Sequence, residues 1–315
     1  MTPTVSIVMP TFNRLQFLRA AVDSVFNQTF TDWELIIADD GSEGETAAWL
    51  EASISPPRVK LLRLPHSGDP GALRNAAWRA ARGEYIAFLD SDDVWRPEKL
   101  AVQVASLERH RARGWSHTAF AAIDESGQLI TGGRARWWWP AAEGWVLESL
   151  IKMETVIAIS SVIVRRQLLE QVGGFDVGLP ACNDYDFWLR VAGLSEVDGV
   201  RETLLYKRTH EESYYNATMV LEERKRALEK VLAAHSYGSL RSTLRRERAK
   251  LAAQLARNQA IIGSRWAALR TLARSSQYSW GYHEWWLGGA HAAARAMAPA
   301  SVVRIARAVV RRGRG

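Results

Sequence analysis

The stretch Gly83-Glu-Tyr-Ile-Ala-Phe-Leu-Asp-Ser-Asp-Asp-Val-Trp95 constrains this chain more than any other. Tyr85 to Leu89 is short, mostly apolar and partly β-branched or aromatic, the composition of a buried strand. It runs straight into Asp90, Asp92 and Asp93. Three carboxylates at one strand exit repel one another unless positive charge answers them. A hard divalent cation is one answer, because it takes carboxylate oxygens and keeps positions for phosphate oxygens. A solvated acidic turn capping the helix after Pro97 is the other.

The same plan recurs upstream. Val5 to Met9 is a continuous apolar run that stops at Pro10, as in a parallel strand buried on both faces. The loop Pro10-Thr-Phe-Asn-Arg14 follows, with Asn13 as N-cap of a helix reaching about Gln28 and burying Leu18, Val22, Val25 and Phe26. Glu34 to Ala38 is a second buried strand and ends in Asp39-Asp40-Gly41-Ser42. A short helix over Thr46–Ser53, a strand over Val59–Leu64 and a helix over Pro70–Arg82, stopped by Gly83, lead into the central strand. This alternation predicts an α/β fold with a doubly wound, parallel sheet. Ligands bind such sheets outside the carboxyl ends of the strands, where residues 10–14, 39–42 and 90–93 all fall. Neither G-x-G-x-x-G after the first strand nor a P-loop motif is present, which disfavours a standard dinucleotide fold and a P-loop enzyme.

Beyond a helix from Pro97 to about His110, the pattern turns β-rich. Strands are expected at Ser116–Ile123, Gln128–Thr131, Ser161–Arg165 and Thr203–Lys207, with a turn at Asp124–Gly127 and a helix at Gln167–Val172. Trp137-Trp-Trp139 is either locally packed or forms an acceptor-binding or membrane-facing lip. From Asp184 the spacing is helical, with Phe187, Val191 and Leu194 on one side. Asp184 stands in the first turn, where the helix dipole favours its ionised form. After Thr218 strand signals cease; helices are expected over 218–236, 241–262 and 265–274, followed by aromatic residues at 278, 280, 282, 285 and 286. Ser301–Arg312 is amphipathic, with Val302, Ile305, Ala306 and Val309 opposite Arg304, Arg307 and Arg311. We therefore divide the chain into a domain over 1–212, with halves 1–95 and 96–212, and a helical extension over 213–315.

The net charge of +7 is unevenly held. From Arg241 onward, 15 Lys and Arg stand against Glu247 and Glu284, so that this part carries +13 and the first 240 residues −6. An acidic body with a basic tail is not the footprint of a nucleic-acid groove and suits contact with an anionic membrane. The tail is read as a membrane anchor, a homodimer element or an acceptor platform. A single cysteine, Cys182, fits a reducing compartment. The N-terminus lacks a signal-peptide pattern, and no apolar run is long enough to span a bilayer. The expected location is cytoplasmic, peripheral at the inner membrane face.

Five motifs occur here in an order that resembles family 2 glycosyltransferases: Val5-Ser-Ile-Val-Met-Pro-Thr-Phe-Asn-Arg14, Ala38-Asp-Asp-Gly-Ser42, Arg74-Asn75, Phe88-Leu-Asp-Ser-Asp-Asp93, and Gly174-Phe-Asp176 with Asn183-Asp-Tyr-Asp186. The resemblance covers roughly residues 4–210 and implies the GT-A fold, a mostly parallel sheet with helices on both faces, here with an all-helical C-terminal extension. It also implies inverting, Mn²⁺- or Mg²⁺-dependent transfer of a sugar from a nucleotide-sugar, most commonly a UDP-sugar, to a hydroxyl of a lipid-linked or surface glycan. By position, Asp39 and Asp40 match the acidic pair at the nucleotide base, and Pro10, Thr11, Phe12 and Arg14 the loop holding the nucleoside. Arg74 matches a nucleotide-binding arginine, and Asn75 a residue that stabilises its helix. Asp90 and Ser91 lie toward the ribose, Asp92 matches the metal ligand, and Asp93 assists or is structural. His210, as a second metal ligand, and Arg208 match a region that closes over the diphosphate. Asp184 matches the catalytic base, and Asn183, Trp188 and Trp138 are candidate acceptor contacts.

Many relatives carry Glu-Asp where this chain has Asn183-Asp184, which bears on the acceptor more than on catalysis. Two other functions compete. A nucleotidyltransferase shares the topology and acidic site, but its phosphate loop wants glycines that Pro10–Arg14 lacks. A non-catalytic glycan- or nucleotide-sugar-binding protein is suggested by Asn183 and opposed by retention of Asp92 and Asp184.

Overall fold

Strands β1 (Val5–Thr11) and β2 (Trp33–Asp39) are buried along their whole length. Both are continuous apolar runs because both faces of the sheet are covered. Residues 2–53, 57–131, 138–210, 216–234 and 238–297 are described by the computed structural model. By contact they fall into two compact units, 1–213 and 214–315.

In the first unit, α1 (Leu15–Phe26), α2 (Gly44–Ser53), β3 (Val59–Arg63), α3 (Pro70–Ala80) and β4 (Tyr85–Phe88) follow in the expected rhythm. The remaining elements are β5 (Val94–Trp95), α4 (Lys99–Arg109), β6 (Trp115–Ile123), β7 (Trp138–Trp139), α5 (Leu147–Lys152), β8 (Val162–Arg165), α6 (Arg166–Val172), α7 (Asn183–Ala192) and β9 (Val197–Arg208). They build one mixed sheet in the order β3-β2-β1-β4-β8-β6-β9-β5, with β7 on β6. Pairing is parallel from β3 to β4 and between β6 and β9, and antiparallel where β8 joins β4 and β6.

Alternation divides the core. Val5, Ile7, Met9, Leu35 and Ile37 pack with Leu18, Val22 and Val25 of α1 and Leu100, Val104 and Leu107 of α4. Phe88 points the other way, edge-on to Phe175 and to Phe187 of α7. Helices thus cover both faces. Gly83 is needed where the chain enters β4, because a Cβ there would lie 2.6 Å from the Ser6 nitrogen.

Several boundaries differ from the sequence expectation. Residues 128–131 form no strand and contribute only an isolated bridge between Ile123 and Leu129. The Asp124 carboxylate accepts from the Ser126 hydroxyl and the Gln128 N–H, which stabilises a turn there. The last strand begins at Val197 rather than Thr203; its register against β6 shifts on either side of Ala119, which breaks the two-residue alternation. Two-residue β5 and β7 are too short to show periodicity. Leu194 is exposed instead of sharing the buried side of α7.

The second unit is helical: α8 (Ala217–Ala233), α9 (Arg241–Ile261), α10 (Arg265–Ser279) and α11 (His283–Met297). Asn216 caps α8 by accepting from the Met219 N–H at 2.9 Å. Small residues bring α9, α10 and α11 together: Ala249, Ala252 and Ala253 pack on Trp285, and Ala260 on Ala268 and Ala296. Of this aromatic group, Tyr278 lies in α10, Trp280 and Tyr282 between the helices, and Trp285 and Trp286 in α11. Among the described residues, no helix is long and apolar enough to cross a membrane. Trp137 and the segment Ser301–Arg312 lie outside the described residues.

Candidate active site

The loops after β1 and β2 are stitched together by backbone and side chain. The Asp40 N–H donates to the Thr11 carbonyl at 3.0 Å. Asn13 adopts a left-handed conformation (φ 47°), and its side-chain oxygen accepts from the Glu43 N–H at 2.9 Å. It therefore bridges two loops and does not cap α1; Arg14 holds the N-cap position. Asp39 is fully buried and accepts from the Ser42 N–H at 3.2 Å. Asp40 accepts from the Ser67 N–H at 2.8 Å, the Ser67 hydroxyl at 2.9 Å and the Gly68 N–H at 2.9 Å. His66 lies against the same carboxylate and stacks on Phe12, ring centroids 4.3 Å apart. Pro10 is buried within β1, and the buried Thr11 hydroxyl has no hydrogen-bond partner among the described residues.

The three carboxylates after β4 have three different environments. Asp93 is fully buried and accepts from the Ser160 hydroxyl at 2.6 Å and the Arg208 N–H at 2.8 Å. Burial pushes its carboxyl up to about 7, with Lys207 opposing and Asp92 and Asp90 reinforcing. Asp90 accepts from Arg74 at 2.6 Å. Burial acts to raise Asp90, but Arg74 and Lys207 outweigh it and hold the carboxyl below its ordinary value. Asp92 is partly open, paired with Arg14 and with Nε2 of His210 at 3.0 Å. Nδ1 of His210 faces Glu125 at 3.3 Å, so the imidazole is held between two acids.

Oxygens of Asp90, Asp92 and Asp93 lie within 4.8 Å of one another. Both Asp93 oxygens are engaged and Asp90 takes Arg74; Oδ2 of Asp92 takes Arg14 and Nε2 of His210, so an ion held by Asp92 and His210 would replace that mutual contact. A carboxylate and an imidazole suit Mn²⁺, and the carboxylate with water suits Mg²⁺. The donor set thus fits the expected ion.

Arg74 joins this cluster to the start of α7. Besides Asp90 it donates to the Asn183 side-chain oxygen at 3.0 Å. Asn183 is buried, and its amide donates to the Pro180 carbonyl at 2.8 Å. Its amide is engaged in orienting Arg74, so it is not an open acceptor contact. Neighbouring Asp184, in the first turn of α7, accepts from the Tyr185 N–H at 2.7 Å. Burial raises its carboxyl above the ordinary Asp value, with Arg74 opposing. A proton acceptor of raised pKa beside a cationic cluster suits general-base work.

The remaining expected residues are placed as follows. Trp188 is buried and stacked on Trp115 with centroids 5.5 Å apart, which puts it in the core rather than on an open acceptor surface. Arg208 is also buried; its guanidinium donates to the carbonyls of Asp92, Asp124 and Glu125, bracing the acidic loop. Ser91 is buried within that loop. Trp138 is exposed, with its indole N–H on the Thr203 hydroxyl at 3.1 Å.

Two contributors escaped sequence reading. Lys207 places its ammonium 3.8 Å from Asp93, and Asp93, with Asp90 and Asp92, raises it above the ordinary lysine value. Its position immediately before the Arg208–His210 segment was the available signal. Asn75 does more than stabilise α3: its side chain donates to the Phe175 carbonyl at 2.8 Å and accepts from the Phe175 N–H at 2.9 Å. Gly174 fits beneath it at φ 86°, where a Cβ would lie 2.4 Å from the Asn75 oxygen.

The sequence profile of glycosyl transferase family 2 matches residues 6–172. The chain belongs to that family, and its mixed, mostly parallel sheet is the GT-A arrangement. It is 39% identical over 103 residues to the Escherichia coli UDP-Glc:alpha-D-GlcNAc-diphosphoundecaprenol beta-1,3-glucosyltransferase WfgD, covering 33% of this chain and 40% of the relative. It is 30% identical over 197 residues to the Escherichia coli chondroitin synthase, covering 62% of this chain and 27% of that one. The chain thus spans well under half the length of either relative. A crystal structure of S. aureus TarS 1-349 in complex with UDP-GlcNAc superposes with a TM-score of 0.62 at 20% identity, over 82% of this chain and 72% of that TarS fragment. That likeness is one of fold.

Proposed function

We propose that the protein is a metal-dependent inverting glycosyltransferase of cell-envelope glycan synthesis, moving a sugar from a nucleotide-sugar, most simply a UDP-sugar, to a hydroxyl of a lipid-linked or surface glycan. The arrangement that carries this function is the bridge made by Arg74 between Asp90 of the acidic loop and Asn183 beside Asp184. It sets donor and acceptor chemistry side by side. The nucleoside lies along Pro10–Arg14, with its base toward Phe12, His66 and the Asp39–Asp40 wall. Arg14, Arg74 and Lys207 face the diphosphate, whose charge grows as the glycosidic bond breaks. Asp184 takes the proton of the acceptor hydroxyl, whose oxygen attacks C1 from the face opposite the leaving group and inverts it. Asp92 and His210 would hold Mn²⁺ or Mg²⁺, which supplies Lewis-acid stabilisation of the leaving diphosphate when bound.

Residues 1–212 carry this chemistry in our assignment and 213–315 form an extension. The names of WfgD and TarS, with undecaprenol-linked and UDP-GlcNAc chemistry, support the donor and acceptor classes. In this reading the enzyme works at the inner face of the cell membrane, with the basic tail as one contact. Calorimetric titration with UDP, dTDP and GDP, with and without Mn²⁺, tests the donor site. Metal-dependent binding of one nucleotide is expected; equal binding without metal would remove Asp92 and His210 from the ligand assignment.

A further inference from the structure

We propose that the outward face of the α10–α11 hairpin is a docking surface for an anionic lipid bilayer. The observation is the residue pattern on two neighbouring helices of the second unit, and it does not depend on the transfer chemistry. On α11, Trp285, Gly289, Ala292 and Ala296 are buried. The positions opposite them at helical spacing include Trp286, Leu287, Ala290, Ala294 and Met297, all exposed and apolar, with His283 and His291 as the exposed polar residues among them. Leu287 is 65% and Met297 69% exposed. A soluble helix places charged and polar residues on such a face.

The adjoining stripe of α10 continues the surface. Trp266, Arg270, Ala273 and Gln277 recur at intervals of three and four residues and lead to Trp280 just past the helix end. Trp266 is 78% and Trp280 66% exposed. Trp280 meets Trp286 edge-on with centroids 4.4 Å apart, and the Trp286 indole donates to the Trp280 carbonyl, so the two stripes form one patch. At 1.5 Å per residue it is roughly 20 Å long. Tryptophan at both ends matches the preference of indole for the headgroup level, where its apolar body is buried and its N–H stays wet.

Charge selects the occupant. Helix α10 contains Arg265, Arg270 and Arg274 and no acid. Neither Arg270 nor Arg274 has an acidic partner among the described residues. On the other flank of α11, a groove of about 250 Å³ is bordered by Lys250 and Arg257 of α9. The acid of α11, Glu284, is paired with Arg246. An isologous contact with a second copy would set this positive rim against itself. Lipid phosphates answer the arginines while the apolar ridge enters the acyl boundary, the geometry of an interfacial helix.

The test uses the full chain, floated on density gradients with phosphatidylcholine vesicles or vesicles also containing phosphatidylglycerol. The wild type is expected to float with the anionic vesicles only, with its tryptophan emission shifted to the blue. Trp266→Ser with Leu287→Glu, and separately Arg270→Glu with Arg274→Glu, are expected to lower the bound fraction about tenfold or more. The arginine pair keeps the test decisive should Leu287→Glu disturb folding, which circular dichroism reports. Residues 298–315 are intact in every variant, so flotation of both pairs equal to wild type would overturn the proposal. So would a wild type that stays at the bottom of the gradient, or a dimer in sedimentation velocity that Leu287→Glu dissociates.

Discussion

Replacing Asp184 by Asn separates the proposed base from everything that surrounds it. The Asn side-chain oxygen can still accept the Tyr185 N–H at the 2.7 Å position, so α7 starts as before and the neighbouring Asn183–Arg74 bond is untouched. What is lost is proton-accepting capacity. General-base assistance is worth about 10²–10⁴ in rate, which at 1.36 kcal/mol per decade is about 3–5 kcal/mol of barrier. Donor affinity should change little, because Asp184 acts on Arg74 and Lys207 only through its charge while Arg74 keeps its bonds to Asp90 and Asn183. The acid limb of the wild-type rate profile should lie above the ordinary carboxylate range, since burial raises this carboxyl, and it should vanish in the variant. The sign of the stability effect follows. A carboxyl raised in the folded state binds more protons there than in the unfolded chain, so its ionisation costs stability as pH rises through the folded pKa. Asp184→Asn should therefore be at least as stable as wild type at pH 7, with any advantage shrinking as pH falls through the ordinary Asp range. Sugar transfer followed against pH, together with donor calorimetry and denaturant midpoints, measures all three. Turnover within about threefold of wild type, against the expected loss, would refute the assignment.

Asp92→Ala should abolish Mn²⁺-dependent UDP binding, whereas His210→Ala should weaken Mn²⁺ about tenfold or more; metal titration followed by calorimetry distinguishes them, and unchanged affinity in both would place the ion elsewhere. Gly174→Ala forces a side chain onto the Asn75 oxygen at positive φ and should cost about 1–3 kcal/mol; an unchanged denaturation midpoint would contradict the clamp. Fully buried His117 is held neutral, its pKa lowered by burial from 6.5 to about 4. The unfolded chain binds the extra proton first, so stability is full near pH 7 and falls between pH 6.5 and 4, by up to about 3 kcal/mol. His117→Gln should flatten that part of the stability–pH curve, and an identical slope in both proteins would exclude His117 as its source.

Local sequence determined the alternation of β1, α1, β2, α2, β3, α3 and β4, because strands buried on both faces must be continuous apolar runs and helices must present an apolar stripe. It also set the acidic and basic loops at strand ends, where a doubly wound sheet exposes its ligand groove. Tertiary structure alone decided which aspartate is open: Asp93 is buried by Ser160 and Arg208, residues 67 and 115 positions away. It turned Trp188 onto Trp115 and Asn183 onto Arg74, 109 residues away. It likewise placed Lys207 over the acids and fixed Phe175 to Asn75. A local period reports which face of an element is buried, but the partner that buries it is chosen by packing between distant segments. The roles of single polar residues in this site were therefore readable only from the folded chain.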